Sequence, residues 1–146
     1  MTEGPIDKAL IYLSRRAYPE RRLAEKLSKD GFTEAEIGEC LLRLKSWGYL
    51  NDRRFGSDRI RQLQERLKSR SYVMADLENS GLDKELIAEL LESFYPEELE
   101  LEIAGKLIAK KYLPIKSSQP KGWVSLIRAG FSENTVRHCF PDIDPT

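Results

Sequence analysis

Leu27-Ser28-Lys29-Asp30-Gly31-Phe32-Thr33-Glu34-Ala35-Glu36-Ile37 decides the fold, because the chain writes its pattern three times. Gly31, Gly81 and Gly130 are separated by 50 and then 49 residues. Four positions before each stands a leucine (Leu27, Leu77, Leu126), and one position after stands a bulky apolar residue (Phe32, Leu82, Phe131). Thr33, Asp83 and Ser132 come next. Ile37, Ile87 or Val136 follows four positions on, and Leu41, Leu91 or Phe140 four further. Each column has a mechanical reason. Glycine just past a helix takes the left-handed conformation that closes it, and the apolar residue after it folds back on that helix. Thr, Asp or Ser then accepts from the first free N–H groups of the next helix, worth roughly 1 kcal/mol. Thr33 with Glu36 is a capping box. A period of this length marks stacked helical units.

A third helix precedes each pair. Pro5 opens one over 6–17, Asp52 caps one from Arg53 to about Ser69, and Pro96 opens one over 97–112. The expectation is an all-α tandem array of three three-helix, helix-turn-helix-like repeats, elongated and curved, at 1–49, 50–95 and 96–146. Segment 114–120, with two serines and no periodicity, reads as a loop. Composition agrees. Leu, Glu, Lys and Arg supply 60 residues, whereas strand-favouring Val and Thr supply seven. Ile37, Cys40, Leu41 and Leu44 make one apolar helical stripe. Cys40 and Cys139 share a repeat column with Leu90, so both read as core residues. His138 shares its column with Glu39 and Glu89 and reads as solvent-facing.

The formal net charge of the 146 residues is zero, with 40% hydrophobic and 33% charged residues, which excludes a disordered charged tail and a uniformly basic nucleic-acid binder. That zero is unevenly distributed. Residues 1–70 carry 16 basic and 11 acidic side chains, and residues 71–146 carry 8 and 13. Arg53 to Arg70 holds seven basic residues against Asp58 and Glu65. Arg54, Arg61 and Lys68 repeat at sevens, with Arg59, Arg66 and Arg70 as a second row. Such a concentration of arginine suits carboxylates and phosphates.

Catalytic constellations are absent: no phosphate-binding glycine loop and no nucleophile beside the lone histidine. An enzyme is not expected. Neither is a cofactor, nor a metal, since two cysteines 99 residues apart and one histidine do not make a zinc site. The longest aliphatic and aromatic run is five residues, Ala9 to Leu13, so no membrane span is expected. Without a secretory pattern or paired cysteines the expected location is a reducing cytoplasm.

With the repeat in place, Gly48-Tyr49-Leu50-Asn51-Asp52-Arg53-Arg54-Phe55 resembles the signature of the RecX family, bacterial regulators of the RecA recombinase. Ala9-Leu10, Leu13, Arg16, Leu23, Leu27, Gly31, Ile37, Leu77, Gly81-Leu82 and Gly130-Phe131-Ser132 fall in register with it. The chain departs from the family pattern at Pro19 (serine there), Arg22 (a carboxylate), Gly56 (a small residue, usually alanine), Ser69 (glycine) and Ala129 (a basic residue). Read structurally, Tyr49, Leu50 and Phe55 pack a joint between units while Asn51-Asp52 caps the next helix. The resemblance implies a monomer that lies in the groove of the RecA–DNA filament and hinders strand exchange, ATPase activity and filament growth. Direct contact with single- or double-stranded DNA stays open at this point. The contact residues expected are Arg54, Arg59, Arg61, Arg66 and Arg70, then Arg15, Arg16, Arg22 and Arg43. The alternatives are a regulator that places its basic helix in the major groove of duplex DNA, and a helical scaffold for protein partners.

Overall fold

The computed structural model describes residues 3–111 and 120–140, and these form nine helices and no strand. They are α1 (Pro5–Arg15), α2 (Glu20–Lys29), α3 (Glu34–Ser46), α4 (Asp52–Glu65), α5 (Arg70–Asn79), α6 (Lys84–Phe94), α7 (Glu97–Lys111), α8 (Pro120–Arg128) and α9 (Glu133–Cys139). Helices pack in threes: α1–α3 on one another, α4–α6 likewise, and α7 and α8 on α9. The expected loop at 114–120 and the end of the expected helix at Tyr112 lie outside the described residues, except that Pro120 opens α8.

All three glycines adopt left-handed conformations, with φ of 96°, 91° and 92°. Each turn closes by the same pair of bonds, the glycine N–H donating three residues back and the next N–H donating five back. Phe32 donates to the Leu27 carbonyl at 3.3 Å, Leu82 to Leu77 at 3.3 Å and Phe131 to Leu126 at 3.1 Å. Leu27, Leu77 and Leu126 are completely buried beneath these turns. The Thr33–Glu36 capping box is formed, and bonding to Thr33 holds the Glu36 carboxyl below its ordinary pKa. Ser132 likewise caps α9. Asp83 sits at the start of α6 without accepting a cap bond, because its carboxylate turns to Arg21 at 3.4 Å.

The apolar columns gather into two cores rather than three. Ala9, Leu23, Leu27, Ile37, Cys40, Leu41, Leu44 and Leu50 form the first within α1–α3 and the start of the next unit. The second runs continuously from Ile60, Leu63 and Leu77 through Tyr95 to Ile103, Leu126 and Phe140. The cysteine column behaves as read: Cys40 and Leu90 are buried and Cys139 half-buried, and burial pushes both thiols up in pKa. His138 is exposed, its Nδ1 2.8 Å from the Asn134 carbonyl.

Two boundaries differ from the sequence expectation. α1 ends at Arg15 rather than Ala17, because Arg16 is already extended and Pro19 follows. α4 ends at Glu65 rather than near Ser69: Leu67 takes the left-handed conformation (φ 60°), and the Ser69 side chain caps α5 by accepting from Tyr72 N at 3.1 Å. No glycine announces this stop, so helical periodicity reads straight through it. Lys68 and Arg70 therefore leave the basic helix, and Arg70 opens α5.

Candidate functional site

The segment 48–55 builds the joint between the first and second units. Gly48 closes α3 with φ of 82°, and Leu50 drops into the first core. Asn51, not Asp52, caps α4: its Oδ1 accepts from Arg54 N at 3.1 Å. The Asp52 carboxylate instead crosses the joint and accepts the N–H of Glu20, the first helical residue of α2, at 2.8 Å. Pro19 precedes that residue and offers no side-chain cap, so the acid from the following unit takes its place. Burial pushes the Asp52 carboxyl up, and the bond from Glu20 N opposes this. Phe55 lies half-buried against the second core. Tyr49 does not pack the joint as expected. It follows the left-handed Gly48 turn and is 58% exposed as a residue.

Above this joint runs a furrow of three hollows, about 380, 400 and 310 Å³, all touching Phe55. The first lies between Lys26, Lys29 and Arg22 on α2 and Asn79-Ser80. The second passes Arg16, Asp58 and Arg59. The third ends at Tyr49 and Arg54. The Arg16 guanidinium lies 4.9 Å from the Tyr18 ring centroid, and the Lys26 ammonium stands 4.7 Å from that of Tyr12 and 5.5 Å from that of Tyr18. Such contacts fix a cation over an aromatic face without neutralising it.

The nine arginines expected at the site fall into different environments. Arg59 makes a two-pronged pair with Asp76, Nε and Nη2 each 2.8 Å from a carboxylate oxygen, which raises its pKa and spends its fork within the fold. Arg70 donates from Nε to the Tyr95 carbonyl at 2.8 Å. Arg22 pairs with Glu25 at 2.9 Å and donates to the Asn79 carbonyl, tying α2 to the second unit. Arg43 pairs with Glu39 at 3.0 Å, away from the furrow. Arg61 faces a small hollow with Glu102 and Lys106, and Arg66 and Arg15 are exposed at helix ends. Of the nine, the furrow collects Arg16, Arg22, Arg54 and Arg59. It adds Lys26 and Lys29, which the sequence reading passed over although Arg22, Lys26 and Lys29 share a helical face at i, i+4 and i+7. Arg16, Lys26, Lys29 and Arg54 have no acid within ion-pair distance among the described residues.

The second joint has other chemistry. Glu100, 2% exposed, accepts from Ser132 N at 3.2 Å and from the backbone N–H of Arg70. Ser69 donates to the Ala129 carbonyl at 2.9 Å and Ser71 to that of Gly130 at 2.6 Å. Burial raises the Glu100 carboxyl and, with the neighbouring Glu100 charge, the Tyr95 phenol, whose hydroxyl donates to the Lys68 carbonyl at 2.7 Å. Among the described residues no group of three His, Cys, Asp or Glu is placed to hold a metal, and no helix is long and apolar enough to cross a membrane.

A family model for the first three-helix domain of RecX matches residues 6–44. A regulatory protein RecX from Syntrophotalea carbinolica is 32% identical over 105 residues, covering 71% of this chain and 69% of the relative. The chain belongs to the RecX family. A regulatory protein RecX from Caldanaerobacter subterraneus is 36% identical over 103 residues, 70% of this chain and 52% of that one, so the chain spans about half that relative's length. The crystal structure of RecX from Lactobacillus salivarius superposes with a TM-score of 0.82 at 22% identity, over 97% of this chain and 96% of its own, and shows the RecX fold. The chain is thus a member of a family of regulatory proteins.

Proposed function

We propose that this chain regulates a RecA recombinase by binding the RecA–DNA filament in its helical groove and inhibiting strand exchange, ATP hydrolysis and filament growth. Membership of a family of regulatory proteins carries this reading. The geometry supports it in two ways. An array of short repeats exposes much surface per residue, and unpaired arginines stand at the helix ends and along the first joint. Of the expected contacts, Arg15, Arg16, Arg54, Arg61 and Arg66 are the ones to engage a partner. Arg59 and Arg70 are held by Asp76 and the Tyr95 carbonyl, and Arg22 and Arg43 by neighbouring glutamates.

The chain acts as a cytoplasmic monomer without catalysis of its own. Titrating it into RecA hydrolysing ATP on single-stranded DNA tests this: hydrolysis falls at near-stoichiometric amounts, and an unchanged rate refutes the reading. The alternative, a basic helix inserted in the major groove, loses support. Arg66 caps the end of α4, Lys68 and Arg70 lie beyond it, and Arg59 is committed to Asp76.

A further inference from the structure

We infer that the furrow at the first joint seats a single nucleic-acid strand, with its phosphates on Arg16, Lys26, Lys29 and Arg54 and a base stacked on Tyr49. This deepens the filament reading by naming what lies against the furrow, and its test omits the recombinase.

Charge is the first argument. Six cations line the three hollows; Glu25 neutralises Arg22 and Asp76 neutralises Arg59. Four cations remain against one acid without a partner, Asp58, so the furrow is positive although the chain as a whole is neutral. Pre-organisation is the second. Arg16 and Lys26 already rest on the Tyr18 and Tyr12 rings, so less side-chain freedom is lost when a phosphate arrives.

Shape is the third. The cations sit in a concave channel of hollows no larger than about 400 Å³. Duplex DNA is read the other way round, by a convex helix or ribbon entering its groove. A flexible single strand follows a channel, and its π-faces suit an exposed ring beside a cation, as Tyr49 is beside Arg54 in the third hollow. An acidic peptide would satisfy the cations but would leave the exposed Tyr49 ring without a stacking partner.

Because Arg16, Lys26 and Lys29 belong to the first unit and Arg54 to the second, a strand in the furrow also fastens one unit to the next. The test is fluorescence anisotropy of labelled oligothymidine with the full chain at low salt and no recombinase. Saturable binding is expected, with the oligonucleotide raising the chain's melting temperature. Arg16→Ala with Lys29→Ala should weaken binding and lower the salt slope by about 0.7 for each lost phosphate contact. Tyr49→Ala should weaken it about tenfold with the slope unchanged.

These side chains are exposed, and unchanged circular dichroism confirms the fold of each variant. Arg43→Ala, which removes one cation outside the furrow, should bind as the parent does, whereas Arg16→Ala alone, the same charge change inside it, should weaken binding. Three results would overturn the inference: no saturable binding, equal weakening by Arg43→Ala, or equally good displacement of the strand by duplex DNA or polyglutamate. If strand binding fails while RecA ATPase inhibition persists, the filament reading stands and this inference falls. The converse result removes the filament reading and leaves the furrow assignment.

Discussion

Replacing Asp52 with alanine removes the carboxylate that crosses the first joint to accept the N–H of the first residue of α2. The carboxylate accepts Glu20 N at 2.8 Å, and Pro19 leaves that end of α2 without a side-chain cap of its own. Loss of a cap costs about 1 kcal/mol, and loss of a negative charge at a helix N-terminus adds about 0.5 kcal/mol. Burial offsets part of this, since it raises the Asp52 carboxyl by disfavouring the charged form. The net loss expected is about 1 kcal/mol, or roughly 4 °C in melting temperature for a chain of this size. The first unit has its own core, so the loss should be local. Amide exchange should accelerate at Glu20 and along α2 while the α5 and α6 amides keep their protection. Asp52→Asn retains an acceptor and should recover more than half of the loss. Unchanged melting and exchange in Asp52→Ala would refute the cross-joint cap. Asp52→Asn as damaging as alanine would show that charge, not the acceptor, matters.

Arg59→Ala breaks the two-pronged pair with a largely buried Asp76 and should cost about 1–2 kcal/mol in urea unfolding, whereas Arg61→Ala should change stability by less than about 0.5 kcal/mol. Glu100→Gln tests the second joint through pH. A carboxyl raised by burial binds its proton more tightly folded than unfolded, so the parent loses stability as pH rises from the ordinary glutamate range through the folded pKa. The variant's melting temperature relative to the parent should climb across that window and then level, and a flat difference would contradict the burial argument. Alanine at the three turn glycines should cost progressively more from Gly31 to Gly81 to Gly130. All three share a left-handed backbone, but a Cβ at Gly31 meets nothing within 4 Å, at Gly81 it meets Arg21 at 3.3 Å and at Gly130 the Ser71 hydroxyl at 2.5 Å. Equal chemical-denaturation losses at the three sites would disprove that ranking.

The helices and their turns were legible because each repeat writes local chemistry: a leucine, a left-handed glycine, an apolar return and a cap. What could not be read was whatever depends on a partner distant in sequence. Asp83 has the composition of a cap, but Arg21, 62 residues earlier, takes its carboxylate. Asp52 was placed one residue from the true cap because its partner is Glu20 on another unit. The end of α4 went unseen since Leu67, without glycine's freedom, turns left-handed under the pull of Ser69 as the next cap. The arginines were legible as a concentration of charge. Glu39, four residues before Arg43, was within reach of a helical rule, but Asp76 and Tyr95 lie 17 and 25 residues from Arg59 and Arg70, and no local rule ranks such distant partners.

The two joints repeat one docking with different side chains, and that difference accounts for the furrow. In each, the start of a unit's second helix meets the glycine turn of the following unit: Arg21 and Arg22 against Asn79, Gly81 and Asp83, then Ser69 and Ser71 against Ala129 and Gly130. Serine hydroxyls reach backbone carbonyls directly, which lets the second and third units close on each other and share one core. At the first joint the Arg22 guanidinium reaches the same kind of backbone acceptor at the end of a long stem, and the first and second units keep separate cores. Between them the stems and the rings of Tyr18 and Phe55 line a channel instead of filling it. Substituting Arg21 and Arg22 by serine should therefore draw the first joint towards the second in character. The measurable consequence is slower amide exchange across α2 together with loss of the furrow's affinity for a single strand. Looser exchange with affinity retained would show that Arg21 and Arg22 do not set the character of this joint.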